Sequence, residues 1–141
     1  MNTYGIEWDR VQPGEELPPL PPIRVTRLML ALYCGASGDH NPVHVDADFA
    51  RDAGIKDVFA HGMLSAAWMA RLVTRWLPQA ALDSFDVRFL TITHVGELIS
   101  CTGRVDSKFE QDGRRLVKLQ LETRNEHGMQ KLSGTAVAEI Q

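Results

Sequence analysis

The sequence predicts a single α+β domain over residues 1–141, in which an antiparallel β-sheet wraps around one long buried helix. Residues 63–77 are apolar nearly all round, and a helix without a broad polar face is typical of a protein core. Most of the chain after residue 82 alternates apolar and polar side chains, which is the pattern of strands with one buried face. A chain of 141 residues is long enough for one such core and short for two.

Prolines mark the start of the chain, because residues 1–25 contain five of the seven. We expect these residues to run as an extended segment over the edge of the domain, since proline favours the polyproline II conformation. A proline-rich ligand for an SH3-type partner is the alternative interpretation of this segment.

Two short helices should precede the long one. Thr26 is a favourable N-cap for the first, and Gly35 and Gly38 are expected to end it. Asp46 can cap the second helix over residues 47–53, which has a glycine just past its end. The loop between these helices is therefore held at both ends.

The strands follow the long helix, which Pro78 ends. Residues 98–107 form one predicted strand, and turn residues at 111–113 and 126–128 separate the later ones. The alternating apolar residues fall into three sets: Phe85, Val87 and Phe89; Val117, Leu119 and Leu121; Ala136, Ala138 and Ile140. At least four antiparallel strands are expected.

Charge and composition exclude several classes of function. The net charge is −3 and no run of Lys or Arg suggests a polyanionic partner, so nucleic-acid binding is not expected. No stretch reaches the roughly 18 apolar residues that cross a bilayer, and no signal-peptide pattern begins the chain. We therefore expect a cytoplasmic protein that is not in a membrane. Cys34 and Cys101 lack metal-ligand or redox spacing and should be buried reduced thiols.

Residues 37–44, Ser-Gly-Asp-His-Asn-Pro-Val-His, hold the densest group of reactive side chains. On an α-helix Asp39 and His44 would point about 140° apart. Asn41-Pro42 instead predicts a tight turn, which can bring the two side chains to one pocket. A carboxylate and an imidazole together suit proton transfer. From the residues alone, a turn-forming Asp and a packed His remain alternatives.

The segment from Tyr33 to His44 closely resembles the hydratase motif of the MaoC-like (R)-specific enoyl-CoA hydratases and dehydratases, whose core is Gly-Asp-x-Asn-Pro-x-His. Ala36 departs mildly from the family pattern. The resemblance implies a hotdog fold and a hydro-lyase that needs no cofactor and interconverts a trans-2-enoyl thioester and its (R)-3-hydroxyacyl form.

The same resemblance implies roles for individual residues. Asp39 and His44 would be the catalytic residues that activate water. We expect Asn41 to cap the turn through its side-chain amide, because Asn before Pro favours turns, and the family role of orienting the loop is the alternative. Ser37 is expected to support the same loop. His40 is a variable position of the motif and receives no role.

Gly62, within Phe-Ala-His-Gly-Met at the start of the long helix, is a further candidate. A free backbone N–H at a helix N-terminus suits a developing oxyanion, and the family uses this glycine for that purpose. Close packing is the alternative reason for a glycine here. Some relatives hold the catalytic Asp with a Ser at the position of Ala70, so support for Asp39 must come from a backbone N–H or Ser65.

A metal centre is not expected. Carboxylate and imidazole are ordinary ligands, but no two histidines are placed as ligands on one helix. Such a site would be built from Asp39, His40, His44 and His61.

The resemblance implies an acyl-CoA or acyl-carrier-protein thioester as the substrate. One hotdog protomer would expose a sheet edge and part of its helix, so we expect a homodimer with a continuous sheet. Two alternatives remain: a hotdog thioesterase, and one subunit of a heterodimer with a related hotdog chain. The sequence does not choose among the cations that could meet a CoA phosphate, which are Lys56, Arg71, Arg88, Arg104 and Lys108.

Overall fold

The computed structural model describes residues 6–140 and contains one sheet and three α-helices within that range. The elements in chain order are β1 Ile23–Arg24, α1 Arg27–Ser37, a 3-10 turn Pro42–His44, α2 Ala47–Asp52, α3 Gly62–Trp76, a 3-10 turn Gln79–Ala81, β2 Leu82–Phe89, β3 Leu98–Gln111, β4 Arg114–Asn125 and β5 Gln130–Glu139. All strand pairs are antiparallel, in the order β1-β3-β4-β5-β2. The predicted α+β class is confirmed.

The core lies between α3 and the sheet. Met69 and Val73 of the helix are fully buried, as are Val117 and Leu119 of β4. A Cβ added at Gly134 of β5 would lie only 2.7 Å from the Met69 Sδ atom. The helix therefore approaches the sheet closely because a glycine leaves room for it.

The short helices begin where the caps predict. The Thr26 hydroxyl accepts a hydrogen bond from the Met29 N–H, and the Asp46 carboxylate caps α2. The prediction that Gly35 helps to end α1 is wrong, because the helix continues to Ser37 and Gly38 ends it at a φ of 75°. A glycine inside a helix costs only about 1 kcal/mol, which the packing of the helix outweighs.

β3 extends four residues beyond its predicted end, to Gln111. The register with β4 shifts between Val105 and Ser107, and this bulge interrupts the alternation that marks a strand in the sequence. The β3–β4 hairpin turns at Asp112 and Gly113, both with positive φ, which a tight two-residue turn requires.

The proline-rich segment lies along β3. The Gly14 N–H donates to the Val105 carbonyl and the Leu17 N–H to the Gly103 carbonyl, each at 2.8 Å. The Lys108 ammonium group donates a hydrogen bond to the Val11 carbonyl at 2.7 Å, so this side chain helps to hold the segment on the sheet. Residues 1–5 of the predicted segment lie outside the described residues.

Two remaining sequence predictions concern the cysteines and membrane-spanning helices. Cys34 and Cys101 are both free and buried, as expected, and burial raises the pKa of the Cys101 thiol to about 11. Between residues 6 and 140, no helix has both the length and the apolar content that crossing a membrane demands.

Candidate active site

The loop after α1 is built by short-range hydrogen bonds. The Ser37 hydroxyl donates to the Tyr33 carbonyl at 2.7 Å and accepts from the Asp39 N–H at 3.1 Å. One carboxylate oxygen of Asp39 accepts from the Asn41 N–H at 3.3 Å, which is typical of an Asx turn. The Asp39 side chain is exposed at the end of this turn.

The next turn aims His44 inward. The Asn41 side chain accepts from the Val43 N–H at 3.2 Å and so caps the 3-10 turn that contains Pro42. His44 is buried, and its Nδ1 lies 2.8 Å from the Phe59 carbonyl oxygen. Because a carbonyl oxygen can only accept, Nδ1 carries the proton and Nε2 keeps its lone pair. His44 is therefore held in the tautomer in which Nε2 can act as a base.

The turn brings Asp39 and His44 together. A carboxylate oxygen of Asp39 and one ring nitrogen each of His44 and His61 all lie within 4.8 Å of one another. Two hydrogen bonds of about 2.8 Å let a single water bridge such a separation. His40, the variable position of the motif, is exposed.

His61 is the third member of this cluster, and sequence reasoning placed it beside the pair only within a possible metal site. It is the N-cap residue of α3 and is 1% exposed. Its ring stacks on His44 with 3.8 Å between centroids. Burial and the nearby His44 both lower the pKa of His61, so its ring is neutral near pH 7.

The stacked rings do not suit a metal ion. The planes of His44 and His61 are inclined by only 26° and their centroids are 3.8 Å apart, so no point at bonding distance from a nitrogen of each ring lies in both planes. Zinc needs nitrogen ligands about 2.0 to 2.1 Å from a common centre. As arranged, the residues of the cluster do not fit a metal.

Gly62 begins α3, and no described residue accepts a hydrogen bond from its N–H. A Cβ at this position would lie 3.0 Å from the Phe89 ring, so close packing also favours glycine here. Beside it is a cavity of about 300 Å³, lined in part by Phe59, Ala60, Gly62, Ser65, Phe89 and Ile92. Among the described contacts, the bond to Asp39 comes from the Asn41 N–H and not from Ser65.

A buried ion pair supports the wall of this cavity. Lys131 is 1% exposed, and its ammonium group lies 2.7 Å from a carboxylate oxygen of Glu97 and 2.8 Å from the Ile92 carbonyl. Sequence reasoning missed this pair because alternation along β5 assigns Lys131 to the outer face, and nothing in the pattern shows that Glu97 and the Ile92 carbonyl meet its ammonium group there.

The electrostatics of Glu97 reflect two opposing effects. Burial acts to raise its pKa, but hydrogen bonds from Lys131, the Asn125 amide and the His94 N–H together lower it. The segment held in this way pairs with the chain before α3, where the Ala60 N–H donates to the Thr93 carbonyl at 2.9 Å. The ion pair thus stabilises the backbone that holds His44.

Comparison with known proteins identifies the family. Residues 10–129 match the family model described as MaoC like domain. The chain belongs to the MaoC-like family. The structure of the R-hydratase PhaJ1 from Pseudomonas aeruginosa in its unliganded form superposes with a TM-score of 0.83 and 25% identity, covering 96% of this chain and 86% of that one. The family and the hotdog fold expected from the sequence are confirmed.

Two curated relatives of this MaoC-like chain show how far the similarity reaches. Fatty acid synthase subunit beta of Saccharomyces cerevisiae is 34% identical over 110 residues, which are 76% of this chain but 5% of the yeast protein. An (R)-specific enoyl-CoA hydratase of Rhodospirillum rubrum is 33% identical over 73 residues, which are 50% of this chain and 51% of that protein. The Rhodospirillum relative is named as a hydratase, and a hydratase is a hydro-lyase, so the comparison supports the predicted enzyme class.

Proposed function

We propose that this chain catalyses the reversible hydration of a trans-2-enoyl thioester to the (R)-3-hydroxyacyl thioester. The observation that carries the proposal is the placement of the Asp39 carboxylate beside His44, whose Nδ1–H is bound by the Phe59 carbonyl. A tautomer with a free Nε2 lone pair, next to an exposed carboxylate, is suited to bind and deprotonate one water. Ser37 and Asn41 support this pair through the turn hydrogen bonds.

The proposed reaction uses these groups in turn. Asp39 orients the water, and His44 Nε2 takes one of its protons as the oxygen bonds to C3 of the substrate. The electrons of the C2–C3 double bond move to the thioester carbonyl and form an enolate. The proton that His44 has taken from the water is then delivered to C2. The elements of one water are thus added, and no cofactor is consumed. Dehydration is the reverse.

The Gly62 N–H is the proposed donor to the enolate oxygen. It is the first N–H of a 15-residue helix, where the backbone dipole carries partial positive charge. The cavity beside it is lined largely by apolar side chains, so water competes little for this donor. An acyl-CoA or acyl-carrier-protein thioester would present its carbonyl at this helix end.

A homodimer is the proposed form of the protein. β2 stands at one edge of the sheet with eight residues, and pairing it with a second copy would continue the sheet. Met63 and Phe89, beside Gly62, are 63% and 54% exposed, and a second chain would cover them. A related hotdog chain could occupy the same edge. Size exclusion and activity of the chain expressed alone distinguish the two assemblies, because only a homodimer would be complete without a partner chain.

The test is a panel of trans-2-enoyl-CoA thioesters, with hydration followed as loss of the conjugated absorbance. Asp39→Asn and His44→Ala should each lower kcat by roughly 10² to 10⁴, the usual range for a lost acid or base. His40→Ala, an exposed position of the same loop, is the matched control and should retain parental kcat. Near-normal kcat in either catalytic variant contradicts the proposed pair.

Two further readouts separate the alternatives. A thiol reagent detects free CoA, so release of thiol without a 3-hydroxyacyl product would indicate a thioesterase. EDTA should leave hydration unchanged, because the stacked rings do not converge on a metal. Activity that is lost with EDTA and restored by zinc would contradict the metal-free reaction.

A further inference from the structure

His61 contacts both members of the proposed catalytic pair, but the reaction described above gives it no role. Its Nε2 lies 3.3 Å from the backbone carbonyl oxygen of Asp39, and its ring stacks on His44. The side chain makes no capping hydrogen bond to α3, although it occupies the N-cap position. Packing and helix capping therefore do not account for all of its contacts.

The tautomer of His61 follows from its partners. Nε2 faces the Asp39 carbonyl, which can only accept, and also lies 3.3 Å from the Cys34 sulfur. Nδ1 is buried and has no hydrogen-bond partner among the described residues. Placing the single proton of the neutral ring on Nε2 satisfies the carbonyl, whereas placing it on Nδ1 would bury an unpaired N–H.

The surroundings of the ring fix its orientation. Tyr33 packs edge-on against it with 4.9 Å between centroids, on the side contributed by α1. The titratable groups that face His61 are Tyr33 and Cys34 of α1, Asp39 of the loop and His44 of the 3-10 turn. The ring is thus held between α1 and the proposed base.

We propose that His61 is a positioning residue that fixes the Asp39 backbone through its Nε2–H and the His44 ring plane through stacking. This inference rests on the proposed hydration, since Asp39 and His44 must share one water. Each contact restrains one partner, and both contacts come from a single rigid ring at the start of α3. A displacement of about 1 Å between reacting groups can cost roughly 10²-fold in rate.

His61→Phe separates positioning from space filling. Phenylalanine keeps an aromatic face against His44, removes the donor to Asp39 and also removes the unpartnered buried Nδ1. Stability should therefore be retained or increased, because a buried polar atom without a partner is lost. We expect kcat to fall roughly 10- to 100-fold with KM changed less than about threefold. His127→Phe, in the exposed β4–β5 turn, is the control and should retain parental kcat.

His61→Gln keeps an N–H donor and removes the ring, so it tests the stacking contact. We expect a similar loss of kcat, again with little change in KM. A folded His61→Phe protein with parental kcat would overturn the proposal, because His61 would then only fill space.

Imidazole ¹⁵N NMR of the wild-type chain tests the same contacts without substrate or substitution. We expect His61 to be protonated on Nε2 and His44 on Nδ1, and a His61 proton on Nδ1 would overturn the proposal. If wild-type protein hydrates none of the thioesters, the proposed function fails. The NMR assignment then decides whether the His61 contact to Asp39 exists.

Discussion

The backbone N–H of Gly62 can be tested by comparing two substitutions at the same position. Gly62→Ala retains the N–H and Gly62→Pro removes it. Gly62 lies outside the left-handed region of backbone conformation, and proline is tolerated at the first residue of a helix. The preceding His61 has a ψ of 135°, which is the conformation that a following proline favours.

The alanine variant is the control for the effect of an added side-chain atom on packing. An added Cβ would lie 3.0 Å from the Phe89 ring, and both alanine and proline carry this atom. The Phe89 ring has to give way to this atom in both variants, so the cost of moving the ring is common to the two. The difference between the two variants therefore isolates the N–H. Loss of one oxyanion donor typically lowers kcat by about 10² to 10³, or roughly 2.7 to 4 kcal/mol.

The assay is hydration of an enoyl-CoA thioester, measured after circular dichroism and urea unfolding have shown that both variants fold. We expect Gly62→Ala to retain kcat within about tenfold of the parent and Gly62→Pro to lie at least 10²-fold below Gly62→Ala. Equal kcat in two folded variants would show that Gly62 serves packing and that the enolate oxygen is held elsewhere.

Three further predictions concern the scaffold. Since the pKa of Glu97 is lowered from 4.5 in the fold, the stability from its pair with Lys131 is complete above that pH and is lost as the pH falls below it. Glu97→Gln should lower the free energy of unfolding, measured in urea at pH 7, by about 3 kcal/mol or more, and should remove part of this dependence on acid. If neither the stability at pH 7 nor its dependence on pH changes, the ion pair does not stabilise the fold. Gly134→Ala should lower the free energy of unfolding by about 1 to 3 kcal/mol, because its Cβ would lie 2.8 Å from the Asp86 carbonyl oxygen. Parental stability would show that the sheet can move enough to accommodate the added atom. Cys101, with a pKa of about 11, should resist alkylation in the folded protein at pH 8 and react in urea, and equal rates would contradict its burial.

The local features of this protein can be predicted from short stretches of its sequence. The caps at Thr26 and Asp46 and the turn at Asn41 are predictable because each side chain bonds a backbone group two or three residues away. The buried helix and the alternating strands are predictable because burial of one face repeats at the period of the element. The Asp39 and His44 candidates came from the spacing around Pro42 and from the family motif.

The contacts between distant parts of the chain become visible only in the folded structure. The carbonyl that holds His44 belongs to Phe59, 15 residues away, and His61 reaches the Asp39 carbonyl from 22 residues away. Such contacts depend on where α3 lies on the sheet, and no local pattern encodes that position. Lys131 shows the same limit, since alternation assigns its side chain to a face of β5 but does not show that the Ile92 carbonyl binds its ammonium group and that the side chain is buried there.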